Sequence, residues 1–237
     1  MTPPLTGRVA AVTGGSGGIG SAIMAALADA GARACSLDVA APAQGSDWIK
    51  ADVRIEGSVD AAVAELERRY GRLDIVVHAA GVSFDAVVWK MPVEQWDRIH
   101  AINLRGAFLV LRHAIPRLRQ AGGGRIVLIG SINGSRGKFG TSAYSASKAG
   151  LIGLARSVAR ETGRFGIRVN VVEPGWVKTP LTDALPREIV DQAISDSAIG
   201  RLLDPVDVAR AVLFLCGPGG DAITGQILRV DGGQHMG

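Results

Sequence analysis

Residues 13–20 read Thr-Gly-Gly-Ser-Gly-Gly-Ile-Gly, and they join two segments of different pattern. The stretch before them, Arg8–Val12, is short, apolar and β-branched, which is typical of a strand buried on both faces. The stretch after them, Ile19–Ala30, has helical periodicity and is followed by Gly31. The glycines therefore lie in a turn between a strand and a helix, and their density needs a reason specific to that turn.

A glycine-rich turn at the start of a helix is a candidate site for a phosphate group. Glycine lets the backbone approach a pyrophosphate, which then rests on amide groups and on the positive end of the helix. Gly14, Gly18 and Gly20 are separated by three residues and then one, whereas Gly15, Gly17 and Gly20 satisfy the usual order of one and then two. A tight turn with no ligand is the alternative. The candidate cofactor residues here are Gly14, Ser16, Gly17, Gly18, Ile19 and Gly20.

The same alternation of strand and helix continues along the chain. It favours a single domain, residues 1–237, in which a doubly wound parallel sheet lies between two layers of helices, an α/β/α architecture. Val39–Lys50 lacks periodicity and is expected to be a shortened crossover, and Pro116 is expected to end the third helix. The predicted strands are Arg8–Val12, Arg33–Leu37, Asp74–Val77, Arg125–Ile129, Ile167–Val171 and Ile227–Val230; the predicted helices are Ile19–Ala30, Ser58–Tyr70, Val93–Leu118, Ser142–Gly163 and Pro205–Leu215.

The composition excludes several classes of protein. With 47% hydrophobic and 20% charged residues, the chain is neither disordered nor a coiled coil. The net charge of +4 comes from scattered basic residues, so nucleic acid is not an expected partner. No apolar stretch approaches the roughly 18 residues of a membrane-spanning helix, and Cys35 and Cys216 lack metal-site or redox-motif spacing. We expect a cytoplasmic protein that binds no membrane and needs no metal.

An acidic residue ends the second predicted strand. Asp38 comes 18 residues after the last glycine of the turn, where a carboxylate can accept hydrogen bonds from both ribose hydroxyls of an adenosine and repel a 2′-phosphate. Neither Gly17 nor Val39 supplies a basic partner for a 2′-phosphate. The sequence therefore predicts NAD rather than NADP; a strand-ending turn acid is the alternative. Asp52 and Val53 are placed to lie beside the edge of the adenine ring.

A phenol and an amine share one face of a predicted helix. Tyr144 and Lys148 are four residues apart, within mutual reach on a helix. A positive charge beside a phenol lowers its pKa from about 10, as acid/base catalysis at a carbinol needs, although such a pair taken alone is more often a surface pair. Ser131 follows a predicted strand at the sheet edge where open parallel sheets bind ligands. Asn103 is polar within an apolar patch, where capping or kinking the helix is its alternative role.

Three further motifs complete the pattern: Ala79–Gly81, Pro174–Thr179 and, at residues 224–233, Thr-Gly-Gln-Ile-Leu-Arg-Val-Asp-Gly-Gly. Together with the residues above, they resemble the short-chain dehydrogenase/reductase family, of the kind that includes 3-oxoacyl reductases. The resemblance covers essentially the whole chain, in order and at the family's spacings. One departure is visible: many members have Asn-Asn-Ala-Gly where this chain has His78-Ala-Ala-Gly81. We expect His78 to be a packed residue at a strand end and not a catalytic one.

The resemblance implies a Rossmann fold and a role for each residue of the motifs. It implies that Tyr144 donates and accepts the proton, that Lys148 tunes its pKa and binds the ribose, that Ser131 orients the carbonyl, and that Asn103 holds a water for proton relay. The cofactor residues expected beyond the glycine-rich turn are Asp38, Asp52, Val53, Ala79, Ala80, Gly81, Tyr144, Lys148, Pro174, Gly175, Val177 and Thr179.

The predicted activity is hydride transfer between the C4 carbon of nicotinamide and a secondary alcohol or ketone, with an acyl thioester as a further substrate class. The candidate substrate residues are Ser131, Asn133, Tyr144 and Trp176, with a lid at about residues 176–203. Asp38 and the absence of basic docking residues at Gly122 and Phe165 favour an NAD-linked secondary-alcohol or 3-hydroxyacyl dehydrogenase. The alternatives are an NADPH-type 3-oxoacyl-carrier-protein reductase and an NAD(H)-sensing protein without turnover.

The helix around Ala146–Ala159 is apolar around most of its circumference, more than one sheet face requires. We expect a second subunit to cover it, with the small residues Ala149, Gly150 and Gly153 allowing close helix approach, and a homotetramer as the assembly. Burial within one subunit is the alternative.

Overall fold

The computed structural model, which describes residues 2–42, 45–179, 182 and 186–237, has a seven-stranded parallel sheet at its centre. The strands are β1 (Val9–Thr13), β2 (Arg33–Asp38), β3 (Trp48–Lys50), β4 (Ile75–His78), β5 (Gly124–Ile129), β6 (Ile167–Pro174) and β7 (Ile227–Val230). Their order is β3-β2-β1-β4-β5-β6-β7. The chain winds outward from β1 to β3, returns to the centre and winds outward again from β4 to β7, which is the predicted doubly wound order.

Helices cover both faces of the sheet. They are α1 (Gly18–Asp29), α2 (Glu56–Tyr70), α3 (Val93–His100), α4 (Gly106–Gln120), α5 (Ile132–Arg136), α6 (Ser142–Thr162), α7 (Arg187–Ser195) and α8 (Pro205–Cys216). One buried cluster packs α2, α4 and α6 against the sheet, and a second packs α1 and α8. Along β1, Val9 and Ala11 belong to the first cluster and Ala10 and Val12 to the second, because successive side chains of a strand point to opposite faces. The predicted three-layer α/β/α architecture is confirmed.

The third predicted helix, Val93–Leu118, is divided. A π-helical turn, Ala101–Arg105, joins α3 to α4. Such a turn inserts an extra residue into the helical ladder and is frequent at functional sites. It contains Asn103, whose side chain is buried. The polar residue that is unusual in the sequence pattern therefore marks a local change in helix geometry.

The prediction that Pro116 ends a helix was wrong, since α4 continues to Gln120. Proline removes one hydrogen bond of the helical ladder. Pro116 lies on the exposed side of α4, and the neighbouring Ala114 and Leu118 are fully buried in the core. Packing on both sides of the proline thus outweighs the lost hydrogen bond.

The crossover Val39–Lys50 is short, as predicted, and ends in the edge strand β3, which pairs with the last three residues of β2. Trp48 Nε1 donates a 3.0 Å hydrogen bond to the carbonyl oxygen of Asp38. Residues 43 and 44 lie outside the described part of the chain. The end of β2, where Asp38 lies, is therefore flanked by the outermost strand, β3.

The carboxyl ends of β1, β4, β5 and β6 meet at one edge of the sheet. An insertion, residues 178–203, leaves this edge after β6 and returns to it before α8. Leu203, at its end, forms hydrogen bonds with the residues around its start: Lys178 N donates to Leu203 O at 2.8 Å, and Leu203 N donates to Trp176 O at 2.9 Å. Of the predicted lid, residues 180, 181 and 183–185 lie outside the described residues. Among the described helices, none is long and apolar enough to cross a bilayer.

Candidate active site

The glycine-rich turn is packed so tightly that side chains cannot fit at two of its positions. Gly14 has φ +67°, and a Cβ atom there would lie 2.7 Å from Ala80 N. A Cβ atom on Gly20 would lie 2.0 Å from Gly14 O. Helix α1 starts after Gly17 with no side-chain cap and no acidic residue in its first turn. The amide groups and the positive end of α1 are therefore available to an anion.

The carboxylate of Asp38 is held beside this turn. Ser16 N donates to Asp38 Oδ2 at 3.1 Å, and Ala40 N donates to Oδ1 at 3.3 Å. Ser16 Oγ also donates to Ala40 O at 2.9 Å, which closes a small ring around the acid. Each carboxylate oxygen keeps an acceptor position for a further donor. Lys50 pairs with Asp38 across β2 and β3 and is exposed.

The two residues predicted to edge an adenine are less available than expected. Asp52 forms an ion pair with Arg54, with 2.6 Å between Oδ2 and Nη2. The hydrogen bonds that Arg54 donates lower the pKa of the Asp52 carboxyl. The Val53 side chain is buried in the core, where a Cβ atom on Gly106 would lie 2.9 Å from its Cγ2. Packing against α4 thus leaves Val53 only its backbone to offer to a ligand.

Asn103 connects three segments of the site. Its Oδ1 accepts a 2.9 Å hydrogen bond from Val82 N, and its Nδ2 donates to Val82 O and to Ser147 Oγ, both at 3.0 Å. Ser147 Oγ in turn donates to Tyr144 O at 2.7 Å. Both amide protons of Asn103 are therefore used within the protein. The side chain joins the loop after β4, the π-helical turn and α6. The predicted contact of Asn103 with a water stays a prediction.

Lys148 is buried, with 4% of the residue exposed, and its Nζ donates a 2.8 Å hydrogen bond to Ile129 O. Burial lowers its pKa to about 8. Nζ lies 5.6 Å from the centroid of the Tyr144 ring, and a Cβ atom on Gly81 would be 3.2 Å from it. Among the described residues, Lys148 has no acidic partner within 4.0 Å. An ammonium group with N–H bonds to spare therefore lies between the end of β5 and the phenol.

The structure brings Ser131 and Tyr144 together. Ser131 is the N-cap of α5, where its Oγ accepts a 3.2 Å hydrogen bond from Asn133 N, so its hydroxyl proton remains free to donate. Burial raises the pKa of the Tyr144 phenol, the neighbouring Ser131 hydroxyl acts in the opposite direction, and the Asp85 charge raises the pKa further. Desolvation dominates the pKa of the phenol in this structure, and the lowering of that pKa by Lys148 stays a prediction.

His78 lies at the end of β4 and is fully buried, as expected. Its Nδ1 is 2.9 Å from Thr13 Oγ1, and Thr13 Oγ1 also accepts a 3.3 Å hydrogen bond from Ala80 N. Burial and the Lys148 charge lower the pKa of His78 to about 3, so the ring is neutral at ordinary pH. It therefore helps to fix Ala79 and Ala80 against the glycine-rich turn without carrying charge.

Nearly the whole chain matches one known family. A family model described as "Enoyl-(Acyl carrier protein) reductase" matches residues 14–235, nearly the whole chain. The protein is a short-chain dehydrogenase/reductase. The resemblance predicted from the motifs is confirmed.

This short-chain dehydrogenase/reductase has relatives of known activity along its full length. It is 40% identical to the (3R)-3-hydroxyacyl-CoA dehydrogenase of Canis lupus familiaris, with 100% of both chains covered. It is 39% identical to the acetoacetyl-CoA reductase of Rhizobium meliloti (strain 1021), over 97% of this chain and 99% of the relative. It is also similar to the ligand-free structure of Thermoplasma acidophilum aldohexose dehydrogenase, with a TM-score of 0.94, 30% identity and coverage of 99% and 96%.

The site of this short-chain dehydrogenase/reductase fits a nicotinamide dinucleotide, the cofactor type of the family. The turn at Gly14 and Gly20 is a cradle that Cβ atoms would fill, and the uncapped start of α1 faces it. Asp38 offers acceptors at the end of β2, and Lys148 offers donors beside Gly81. In the described part of the chain, no group of three or more His, Cys, Asp or Glu side chains could hold a metal ion.

The loop after β6 is held at several points. Gly175 N donates to Val230 O at 2.9 Å, and Val177, which is buried, pairs with Leu203. Thr179 N donates to Thr182 Oγ1 at 2.8 Å. The predicted cofactor residues of this loop, Pro174, Gly175, Val177 and Thr179, therefore lie in ordered backbone beside the carboxyl edge of the sheet.

Trp176, a predicted substrate residue, is partly exposed, and Lys138 Nζ lies 4.3 Å from the centroid of its indole ring. Burial lowers the pKa of Lys138, while the Asp85 charge raises it. Sequence reasoning missed Lys138, Asp85 and Ser147. The signal for Ser147 was present, since it lies between Tyr144 and Lys148 on the same helix. Lys138 and Asp85 belong to no sequence motif. Their loops come together only in the fold, so the sequence alone did not indicate them.

The small residues of α6 differ in their surroundings. A Cβ atom on Gly150 would lie 2.7 Å from Leu104 Cδ2, so Gly150 allows close packing within the chain, and its contact with a second subunit stays a prediction. Gly153 is exposed, with no atom within 4 Å of its Cβ position, and Ala149 is partly exposed. The surface of α6 that remains for a partner is centred on Gly153.

Proposed function

We propose that this short-chain dehydrogenase/reductase is an NAD-dependent oxidoreductase that interconverts a secondary alcohol and the corresponding ketone. The observation that carries the proposal is the buried Lys148 ammonium, bound to Ile129 O beside Tyr144 and Ser131. A buried charge is costly unless it has partners. A cation kept there without an acidic partner serves a group that becomes negative during a reaction.

Each side chain has a role in moving a proton at the substrate oxygen. When bound, the nicotinamide ring supplies or accepts the hydride. The Ser131 hydroxyl donates a hydrogen bond to the substrate oxygen, and the Tyr144 phenol donates its proton to that oxygen in the direction of ketone reduction. The raised pKa of Tyr144 keeps the phenol protonated for this step. The Lys148 ammonium then stabilises the phenolate that remains.

The cofactor choice rests on Asp38. Its carboxylate keeps an acceptor position on each oxygen for ribose hydroxyls, and its charge opposes a 2′-phosphate. Exposed Lys50, opposite Asp38 in the sheet, is the observation that favours NADP instead. The Asp38 carboxylate is held in place by two backbone N–H groups, whereas Lys50 is a single exposed ammonium group. This difference favours NAD over NADP.

A 3-hydroxyacyl thioester is the first candidate substrate, since the canine relative is named for a 3-hydroxyacyl-CoA and the Rhizobium relative for acetoacetyl-CoA. Ser131, Asn133, Tyr144 and Trp176 are the proposed substrate residues. The family model is named for an enoyl reductase, which reduces a carbon–carbon double bond. Acetoacetyl-CoA and crotonyl-CoA as parallel substrates separate the two reactions, because only the first carries a ketone for Ser131 and Tyr144.

The test compares the two tyrosines of the chain. Tyr144→Phe keeps the ring near Lys148 but removes the proton, so turnover should fall by about 10²–10⁴-fold while NADH binding, measured by fluorescence titration, is retained. Tyr70→Phe removes the same hydroxyl from α2 and should leave turnover unchanged. Wild-type activity in Tyr144→Phe would exclude the mechanism. NADH binding without turnover of any ketone, alcohol or thioester by the wild type would favour the NAD(H)-sensing alternative.

A carrier-protein reductase is the second candidate, and one observation favours it. Glycine and phenylalanine occupy positions 122 and 165, but Arg119 and Arg164 lie over the Phe165 ring, with guanidinium carbons 4.2 Å and 4.7 Å from its centroid. Positive charge therefore lies around Phe165, although positions 122 and 165 themselves carry no basic residue. If an acidic carrier protein docks there, Arg119→Ala with Arg164→Ala raises KM for the carrier-linked thioester and leaves KM for the CoA thioester unchanged.

A further inference from the structure

The side chain of Gln234, close to the end of the chain, lies at a junction of three elements. Its Oε1 accepts a 2.9 Å hydrogen bond from Trp176 N, in the loop after β6. Its Nε2 donates a 3.0 Å hydrogen bond to Ala193 O in α7. Its backbone carbonyl accepts a 3.2 Å hydrogen bond from Arg136 Nη1 of α5. One residue thus contacts the loop beside the cofactor site, the insertion and the helix that Ser131 caps.

The backbone that presents Gln234 is strongly constrained. The Asp231 carboxylate accepts hydrogen bonds from Gly233 N at 3.0 Å and from His235 N at 2.8 Å. Gly232 and Gly233 have φ of +63° and +79°, a region that side-chain-bearing residues rarely adopt. The carboxamide is therefore held in position by a turn that leaves little freedom on either side.

Both contacts of the carboxamide satisfy backbone groups that the local structure leaves open. Ala193 is in the last turn of α7, where carbonyls lose their helical partners, and Ser197 N bonds instead to Ile194 O at 3.1 Å. Gly175 is closely covered, since a Cβ atom there would lie 2.4 Å from Gln234 Oε1. Loss of the carboxamide would leave the Trp176 amide and the Ala193 carbonyl without these partners.

We infer that Gln234 is a positioning residue that locks the Trp176 loop and helix α7 into one arrangement beside the candidate active site. The carboxamide performs both tasks, because one contact requires an acceptor and the other a donor. Glutamate keeps the acceptor for Trp176 N but cannot donate to Ala193 O, and methionine provides neither. The consequence for substrate binding rests on the proposed function, whereas the coupling of the two segments does not.

The experiment measures hydrogen exchange and steady-state kinetics on the full-length protein. Gln234→Met should speed exchange of the Trp176 amide and of amides in residues 187–196. Gln234→Glu should speed exchange in residues 187–196 while the Trp176 amide stays protected. Each lost hydrogen bond should raise KM for acetoacetyl-CoA by roughly two- to tenfold, with a smaller change in kcat. Gln120→Met is the matched control, an exposed residue at the end of α4, and should change none of these values.

Two results would overturn the inference. The first is unchanged exchange in residues 187–196 in Gln234→Met, which would mean that the carboxamide does not hold α7. The second is an equal increase of exchange throughout the chain with a lower Tm, which would make Gln234 an ordinary stability residue. Wild-type protein that reduces no oxo substrate would contradict the proposed function alone, because the exchange data stay interpretable without turnover.

Discussion

The ammonium group of Lys148 donates a 2.8 Å hydrogen bond to the backbone carbonyl of Ile129, the last residue of β5. This bond ties helix α6 to the carboxyl edge of the sheet. It also holds a buried charge beside Tyr144, and burial lowers the pKa of that charge to about 8. Lys148 therefore changes its charge within the pH range of ordinary measurements, and its titration can be followed.

The pKa of Lys148 predicts how stability depends on pH. Between about pH 8 and its ordinary value of 10.5, the unfolded chain binds this proton and the folded chain does not. The free energy of unfolding of the wild type should therefore rise with pH across this window relative to Lys148→Met, by on the order of 3 kcal/mol in total. Urea unfolding at several pH values measures it. Exposed Lys90→Met is the control, and an equal pH slope for both variants would contradict the prediction.

Asp38 should determine the preference between cofactors. Asp38→Asn removes the charge that opposes a 2′-phosphate and one acceptor for the ribose hydroxyls. We expect kcat/KM with NAD to fall about tenfold, the effect of about 1.4 kcal/mol, and kcat/KM with NADP to rise. Steady-state kinetics with both cofactors measures the ratio, and Asp29→Asn on the exposed face of α1 is the control. A ratio unchanged by Asp38→Asn would remove this residue from the cofactor site.

Asn103 should matter for both stability and activity. Asn103→Ala leaves Val82 N and Val82 O without their partner, removes the donor to Ser147 Oγ, and should cost about 2–3 kcal/mol of unfolding free energy. Asn170→Ala is a matched comparison, because Asn170 is also buried and its side chain makes two hydrogen bonds with backbone. Both should lose stability in urea unfolding, but only Asn103→Ala should lower kcat/KM strongly. Equal losses of activity would assign Asn103 a structural role alone.

Two glycine-to-alanine substitutions should have opposite signs. Gly20→Ala puts a Cβ atom 2.0 Å from Gly14 O, so the turn must distort, and we expect a loss of more than about 2 kcal/mol of unfolding free energy. Gly57→Ala in α2 meets no atom within 4 Å and should gain about 0.5–1 kcal/mol through helix propensity. Thermal and urea unfolding measure both. A Gly20→Ala variant as stable as the wild type, still binding NADH, would contradict the tight packing of the turn.

The homotetramer remains a proposal, and α6 provides its test. Gly153 is an exposed small residue of that helix, so Gly153→Arg should push a partner helix away and lower the sedimenting mass at micromolar concentration. Gly57→Arg adds the same side chain to exposed α2 and should not change the assembly. A wild type that sediments as a monomer would exclude the assembly altogether.

The fold and most of the site follow from the sequence where a motif acts through its immediate neighbours. The glycine at 20 is required by contacts inside one turn, and Tyr144, Ser147 and Lys148 are placed by the geometry of one helix. The sequence did not indicate that Gly150 packs against Leu104, since Leu104 comes from a distant segment of the chain. The sequence also did not indicate the effect of burial on the Tyr144 pKa, because burial depends on everything packed around the phenol.

The sequence by itself determined the doubly wound sheet, the family and the residues gathered at its carboxyl edge, because period, turn chemistry and helix spacing are local properties. Only the tertiary structure decided that Asn103 lies in a π-helical turn with its amide already bound, that Val53 is buried, and that Gln234 joins Trp176 to Ala193. Such contacts join residues tens of positions apart. They arise when separate elements pack, and the pattern of a single segment carries no record of them.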